Sequence, residues 1–175
     1  MDNIETIKYA NDRDKCYGVT GMTIALAVWD KEYYIESVSV DRADIDSILF
    51  HPEFTYTRNQ KLSAKSAWIA MIDHFRIASG MLMANVMCRN IVMERHEPTR
   101  NQMLGLLDLI IEEGMEEYQL DEDECRALFN NTYNHLSRVF VHPAVHSVAN
   151  RMADRLSSRR EMLHSEILDF LIELS

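Results

Sequence analysis

The histidine pair His142 and His146 is the feature of this sequence best suited to metal chemistry. Four-residue spacing places two imidazoles on one face of a continuous helix, where both can bind one metal ion. Pro143, however, indicates a helix start and moves His142 to the cap. A di-iron carboxylate bundle needs two ExxH motifs, and only Glu161 with His164 forms one. Because HxxxH spacing arises readily by chance among seven histidines, we favour capping or surface roles and keep a divalent transition metal as the alternative.

Three arginines one helical turn apart form a second candidate site, at Arg151, Arg155 and Arg159. Guanidinium groups in this arrangement can bind phosphate or an acidic protein partner. A complementary feature is present, since residues 112–124 contain eight carboxylates and no basic residue. We therefore expect the arginines to pair with that acidic stretch, within one chain or between protomers, rather than to decorate a solvated helix.

Covalent catalysis has little support in the sequence, which contains neither a GxSxG elbow nor a Gly-rich phosphate loop. Cys16, Cys88 and Cys125 are odd in number and form no CxxC motif, which argues against a disulfide framework or a zinc ribbon. We expect inert, reduced thiols and hence a cytosolic protein. Residues 1–15 lack the apolar core of a signal peptide, in agreement with that expectation.

Composition and charge narrow the fold and the partners. Only 5 Gly and 3 Pro interrupt 175 residues, a scarcity that favours long helices over a many-turned β fold. The net charge of −10 opposes sequence-independent binding to nucleic acid. The longest nearly uncharged run, 77–88, is shorter than the ~20 residues that span a bilayer. We expect one helical domain over 1–175, with 1–18 loosely ordered and neither nucleic-acid nor membrane binding.

Residues 21–40 support two interpretations, because apolar residues recur there at both strand and helix spacing. We favour a helix with Thr20 as its N-cap, since Ala25 and Ala27 suit a helix. The alternative is a β-hairpin that turns at residues 30–31. Residues 41–61 are expected to be an irregular connection whose aromatic side chains pack across the helices.

The clearest predicted element begins at Leu62, with Ser63 as its N-cap, and continues through Met93. Apolar residues cover nearly all sides of its second half, which is typical of a central helix or an oligomer interface. Trp68 is expected to be a buried anchor whose replacement by Ala costs roughly 3–5 kcal/mol. Gly80 allows a bend or a close helix crossing. The methionines of this helix are expected to fill the core, with an apolar-ligand groove as the alternative.

The remaining helices are predicted from their caps. Thr99 with Gln102 and Asp121 with Glu124 match the capping box, and the first of these two helices is expected to end near Gly114. Pro143 is expected at the first position of the next helix, and Ser165 is expected to cap a last helix over 166–174. The predicted fold is a mostly α bundle of five or six helices, with a small N-terminal β-hairpin as an optional addition.

Three stretches, "LSAKSAW", "GMLMANVMCRNIV" and "YNHLSRVFVHPAVHSVA", resemble a family of small bacterial helical proteins without assigned activity. That resemblance would cover most of the chain, and it implies a helical single domain with no inherited catalytic residues.

The chain is also similar in size to the DinB-like four-helix metal proteins, which combine an early-helix histidine with a later HxxxH pair. This likeness implies a metal-dependent hydrolase-like bundle in which His51 or His74 joins His142 and His146 as metal ligands. The flanking residues and Pro143 depart from the pattern of that family.

The leading functional hypothesis is a non-enzymatic cytosolic helical protein that self-associates or binds a protein partner through apolar helix faces. The alternatives are the metal-dependent hydrolase-like bundle and an apolar small-ligand binder. No catalytic residue and no resident cofactor are assigned under the leading hypothesis.

Overall fold

The computed structural model describes residues 8–55 and 63–174. Within these ranges the chain forms seven α-helices and one three-stranded antiparallel sheet. The prediction of a mostly α fold with a small β element is confirmed. None of the helices in the described ranges is both long and apolar enough to cross a lipid bilayer.

Helix α1, Asp12–Val28, begins much earlier than the sequence indicated. Its N-cap is Asn11, whose side chain accepts a hydrogen bond from the Asp14 backbone N–H at 3.0 Å, whereas the expected cap Thr20 lies buried within the helix. Residues 12–18 were expected to be loosely ordered, yet they are helical and largely buried. The apolar and small residues of α1 lie on all of its faces and do not form one stripe. The hydrophobic pattern therefore does not indicate where the helix begins.

A sheet follows α1, and it replaces the second half of the helix expected over 21–40. Strand β1, Ile35–Ser39, lies between β2, Ile48–Phe50, and β3, Glu161–Leu163. Val38 pairs with Ile48 on one side and with Met162 on the other. The alternative hairpin across 30–31 does not form, since residues 22–28 belong to α1.

The short helix α2, Pro52–Thr55, follows β2 and positions an aromatic cluster. The Phe54 ring stacks on Phe50 at 4.4 Å and lies 5.4 Å from Tyr34. The expectation of an irregular connection over 41–61 is wrong for residues 48–50 and 52–55, which form β2 and α2. Its aromatic side chains do pack, on one another and against His74. Tyr56 and the start expected at Leu62 lie outside the described residues.

Helix α3, Ala64–Met87, starts at the predicted N-cap Ser63 and continues as a π-helical segment over Cys88–Glu94. A buried ion pair joins it to α1: Arg89 donates to both carboxylate oxygens of Asp14, at 2.6 and 2.7 Å. Gly80 makes room for the Trp29 side chain, because a Cβ built on Gly80 would lie 2.1 Å from the Trp29 ring. Met83 and Met87 are fully buried, so they fill the core as predicted.

Helices α4, Arg100–Tyr118, and α5, Glu122–Phe140, each begin with the predicted capping box. Helix α4 continues one turn past Gly114 and ends where Gln119 adopts a left-handed conformation. Helix α6, Pro143–Arg159, begins at the predicted proline. Helix α7, His164–Leu171, follows β3 directly, and a 3-10 turn over Ile172–Leu174 follows it. Its N-cap is Leu163, so the predicted Ser165 cap is wrong.

Candidate interaction surface

His146 has both ring nitrogens engaged in hydrogen bonds. Its Nδ1 lies 2.8 Å from Arg95 Nη1, and its Nε2 lies 2.6 Å from the Phe140 carbonyl oxygen. A guanidinium can only donate and a carbonyl can only accept, so the ring is the neutral tautomer with its proton on Nε2. In this arrangement no lone pair of His146 is available to a metal ion.

The other two predicted metal ligands have separate environments. His142 is the N-cap of α6, and its Nδ1 accepts from the Ala144 backbone N–H at 3.2 Å. His74 is an exposed residue of α3 whose ring lies 5.9 Å from the Phe54 ring. Across 8–55 and 63–174, no three His, Cys, Asp or Glu residues are placed to hold a metal ion together. The structure therefore does not bring His74, His142 and His146 into one site.

The predicted arginine stripe lies on α6, and two of its members contact the C-terminal helix rather than the acidic stretch. Arg151 forms an ion pair with Glu173, and Arg155 forms one with Glu166. Arg159 is exposed in the last turn of α6. The expectation that Arg151 and Arg155 pair with residues 112–124 of the same chain is wrong. The folded chain instead places acidic residues of α7 and of the turn after it beside these arginines. The sequence alone does not reveal this tertiary contact.

The same arginines line an open groove of about 600 Å³ between α6 and α7. Its charged walls consist of two guanidiniums and four carboxylates, and the Arg151 guanidinium also lies 5.5 Å from the Phe170 ring. The Arg151–Glu173 pair is exposed, and exposed pairs contribute little individually, whereas the Arg155–Glu166 pair is half-buried. Because its arginines already have acidic partners, this groove is a weak candidate for an anion site.

The cysteines are poor candidates for covalent chemistry. Cys16, Cys88 and Cys125 are all buried as free thiols. Burial raises the pKa of each thiol above its usual value, and nearby carboxylates raise that of Cys125 further. Since the thiolate is the nucleophile, these groups are held in their unreactive form.

The first half of α3 is the largest departure from the sequence prediction. Residues 64–71 are exposed, except for the half-buried Ser66. The side chains of Trp68, Ile69 and Met71 are 43%, 56% and 44% exposed. The expectation that Trp68 is a buried anchor is wrong. A signal was available, since Lys65, Asp73 and Arg76 occur in this half of the helix, whereas residues 77–88 contain no charged side chain.

The position of α4 explains this exposure. The Phe75 ring stacks on the ring of Tyr118, the last residue of α4, with centroids 4.4 Å apart. Gly114 permits this approach, because a Cβ there would lie 3.1 Å from Phe75 and 2.4 Å from the Cys125 Sγ. The two helices are joined by a short connection and run antiparallel, so α4 ends beside Phe75. Of the helices that the structure describes, none therefore covers the preceding turns of α3.

Eight carboxylates lie at this same end of the bundle, around the junction of α4 and α5, and we call them the acidic cluster. Its members are Glu112, Glu113, Glu116, Glu117, Asp121, Glu122, Asp123 and Glu124. Burial and Glu117 raise the pKa of Glu113, whereas His74 of α3 lowers it. The stacking of Phe75 on Tyr118 places α3 beside the end of α4, where the cluster begins.

Helix stability explains the acidic residues at the start of α5, but not those at the end of α4. Asp121 and Glu124 form the capping box of α5, and acidic residues at a helix N-terminus are favoured by the helix dipole. Glu116 and Glu117 instead occupy the last turn of α4, which has no basic residue. A carboxylate at that end opposes the dipole by about 0.3–1 kcal/mol. Helix stability therefore does not account for Glu116 and Glu117.

Comparison with known proteins adds no assignment. No family model matches this sequence, and no curated protein matches it either. Any function must be argued from the surface itself.

Proposed function

We propose that this chain is a non-enzymatic, cytosolic protein that acts by binding another protein molecule, either a second copy of itself or a different chain. The first half of α3 is the proposed contact element. The supporting observation is the exposure of Trp68, Ile69 and Met71 in a part of α3 that no other described helix covers.

The energetic argument rests on what such a segment gains from a partner. Monomeric proteins seldom expose large contiguous apolar patches, and those that exist often mark interaction sites. Tryptophan is enriched among the residues that dominate binding energy, where truncation costs about 2–4 kcal/mol or more. Because Trp68 is exposed in the isolated chain, replacing it should weaken binding strongly and change the free energy of unfolding little.

Site-specific photo-crosslinking in the cells that make this protein tests the proposal. A benzophenone amino acid placed at Ile69 should give discrete crosslinked species. The same group at Ser157, an exposed position of α6, is the matched control. Crosslinks from both positions at equal yield, or from neither, would contradict the proposal.

The nature of the partner follows from two further measurements. Light scattering on the purified chain at micromolar concentration detects self-association, and Trp68→Ala should abolish any dimer that forms. Mass spectrometry of the crosslinked species identifies a different chain. A purified protein that stays monomeric and an Ile69 crosslink to a second protein would together indicate a hetero-complex.

A further inference from the structure

We propose that the exposed half of α3 and the acidic cluster form one docking surface, and that its occupant is a basic amphipathic segment of a protein partner. This inference rests on the proposed function and specifies the chemistry of the partner. The partner would supply apolar side chains to Trp68, Ile69 and Met71 and lysine or arginine side chains to the carboxylates around them.

One stacking contact places the exposed part of α3 near the acidic cluster. The Phe75 ring stacks on Tyr118 at the end of α4, one residue before the turn that leads into α5. Burial and Glu117 raise the pKa of Glu113 overall, but His74 lowers it, in agreement with this placement. The exposed turns of α3 end at Met71, one helical turn before Phe75, so a segment of a few helical turns can contact both parts of the surface.

Among residues 8–55 and 63–174, most carboxylates of the acidic cluster have no basic partner. Within the described residues, its one ion pair joins Glu122 to Arg126, while Asp121 and Glu124 are engaged in the capping box. Glu116 and Glu117 lie at the C-terminal end of α4, where the helix dipole disfavours negative charge. A basic partner would supply the missing countercharge, and complementary charge of this kind guides and orients association.

The same charges argue against other occupants. Two copies meeting through this face would bring sixteen carboxylates together, because each copy contributes eight, and like charges across an interface are unfavourable. Phosphate backbones and anionic lipid surfaces would also be repelled. Arg151 and Arg155 already pair with Glu173 and Glu166, so they are poorly placed to serve as the countercharge in a second copy.

The test uses the full-length protein and three synthetic helical peptides with one labelled end. The first carries leucine at positions i, i+3, i+4 and i+7 and lysine elsewhere, which gives an apolar stripe on a basic helix. The second replaces every lysine by glutamate, and the third replaces every leucine by serine. Fluorescence anisotropy at several salt concentrations measures binding.

We expect the leucine–lysine peptide to bind, and the other two to bind at least about tenfold more weakly. The double substitution Glu116→Lys and Glu117→Lys should weaken that binding by about tenfold and reduce its salt dependence. The control double substitution Asp154→Lys and Asp169→Lys makes the same change of charge on exposed acids of α6 and α7, and it should leave the affinity within about twofold.

Trp68 supplies an independent readout of the contact. On peptide binding its emission should shift to shorter wavelength and become protected from acrylamide. The Trp68→Phe variant, which retains only the part-buried Trp29, should show neither change. A Trp68 already shielded from acrylamide in the free protein would overturn the inference.

The remaining outcomes separate this inference from the proposed function. Equal weakening by the cluster and control variants would mean nonspecific attraction to a chain of charge −10, and the docking surface would be rejected. Absence of peptide binding, combined with an Ile69 crosslink to a second copy or to a partner without a basic segment, would reject the inference and leave the proposed function standing. Absence of both would reject both.

Discussion

The ion pair between Asp14 and Arg89 is the main polar contact between α1 and α3. Both side chains are almost completely buried, at 6% and 10% exposure. The Arg89 guanidinium also lies 5.1 Å from the Tyr9 ring and donates to the Lys8 carbonyl oxygen at 3.0 Å. The guanidinium is thus held in a low-dielectric site by a full set of partners, which is the condition under which such a pair is tolerated.

Replacing Asp14 by Ala should destabilise the protein by about 3–5 kcal/mol, because the substitution leaves the Arg89 charge buried and without its carboxylate. Urea denaturation followed by circular dichroism measures the change. Glu122→Ala is the matched control, since it removes a carboxylate from an exposed pair with Arg126 and should cost only about 0.3–0.5 kcal/mol. Similar losses in the two variants would mean that the Asp14 pair is not effectively buried.

Gly21 makes the closest backbone contact between α1 and α3. A Cβ built on it would lie 2.3 Å from the Ala84 carbonyl oxygen and 2.6 Å from the Cys88 Cβ. In an exposed helix a Gly→Ala change gains up to about 1 kcal/mol, but here a backbone carbonyl occupies the space. Gly21→Ala should therefore reduce the free energy of unfolding by about 1–3 kcal/mol. A thermal melt with equal or higher midpoint would show that the helices can separate without penalty.

At the scale of one residue, the sequence predicted caps well and tertiary environments poorly. Ser63, Thr99 and Asp121 were identified as N-caps, because capping depends on groups within three or four residues. The expectation for Trp68 is wrong because its exposure depends on where α4 ends, and the contact of His146 with Arg95 could not be foreseen because the two residues are distant in sequence. The local chemistry of a side chain does not specify which remote atoms surround it.

The junction of α4 and α5 contains a charge pattern with opposite effects on two helices. Acidic residues in the first turn of α5 complement its dipole, whereas those in the last turn of α4 oppose that of α4. Glu113, one turn earlier in α4, is additionally affected by burial and by Glu117, which raise its pKa.

The effect of Glu113 on stability depends on pH in a way that follows from the direction of its pKa shift. A carboxyl with a raised pKa in the folded state favours folding at low pH, and that contribution is lost as the pH rises through the folded value. Glu113→Gln should therefore be more stable than the wild-type protein at pH 7, and the difference should disappear under acidic conditions. Thermal melts from pH 4 to pH 8 measure this effect. A difference that grows towards acidic pH would contradict the shift.

Helices could be located from the sequence where a single hydrophobic periodicity dominated. Helices α5 and α6 have a clear apolar stripe and local start signals, so both were located closely. Residues 21–40 contain the end of α1 and all of β1, and they mix two periodicities because the chain changes structure near residue 29. Strand β3 was missed, since three residues are too few to show alternation and their pairing partner β1 is remote in sequence.

Across the whole molecule, charge is the property that most restricts possible partners. The net charge of −10 is concentrated at the α4–α5 end of the bundle. We expect no detectable retardation of duplex DNA by the protein at about 0.15 M salt, because phosphate binding requires a basic face. An electrophoretic mobility assay measures this, and a salt-sensitive complex would contradict the assignment of the acidic cluster to a basic protein partner.

The candidate surface was predictable only in part. The acidic composition of residues 112–124 is evident in the sequence, and so is the apolar character of α3. Their juxtaposition depends on the stacking of Phe75 on Tyr118, which joins two helices through a tertiary contact. The sequence therefore supplied the two components, and the packing of the bundle supplied the surface.

The position of β1 between β2 and β3 also affects the order of events during synthesis. The residues of β1 are synthesised early, but its second neighbour lies more than a hundred residues later, at Glu161–Leu163. A nascent chain on the ribosome therefore exposes one edge of β1 until that segment has emerged, and open strand edges invite pairing with other chains. Molecules released before residue 161 would keep this edge, which makes them candidates for chaperone binding and aggregation.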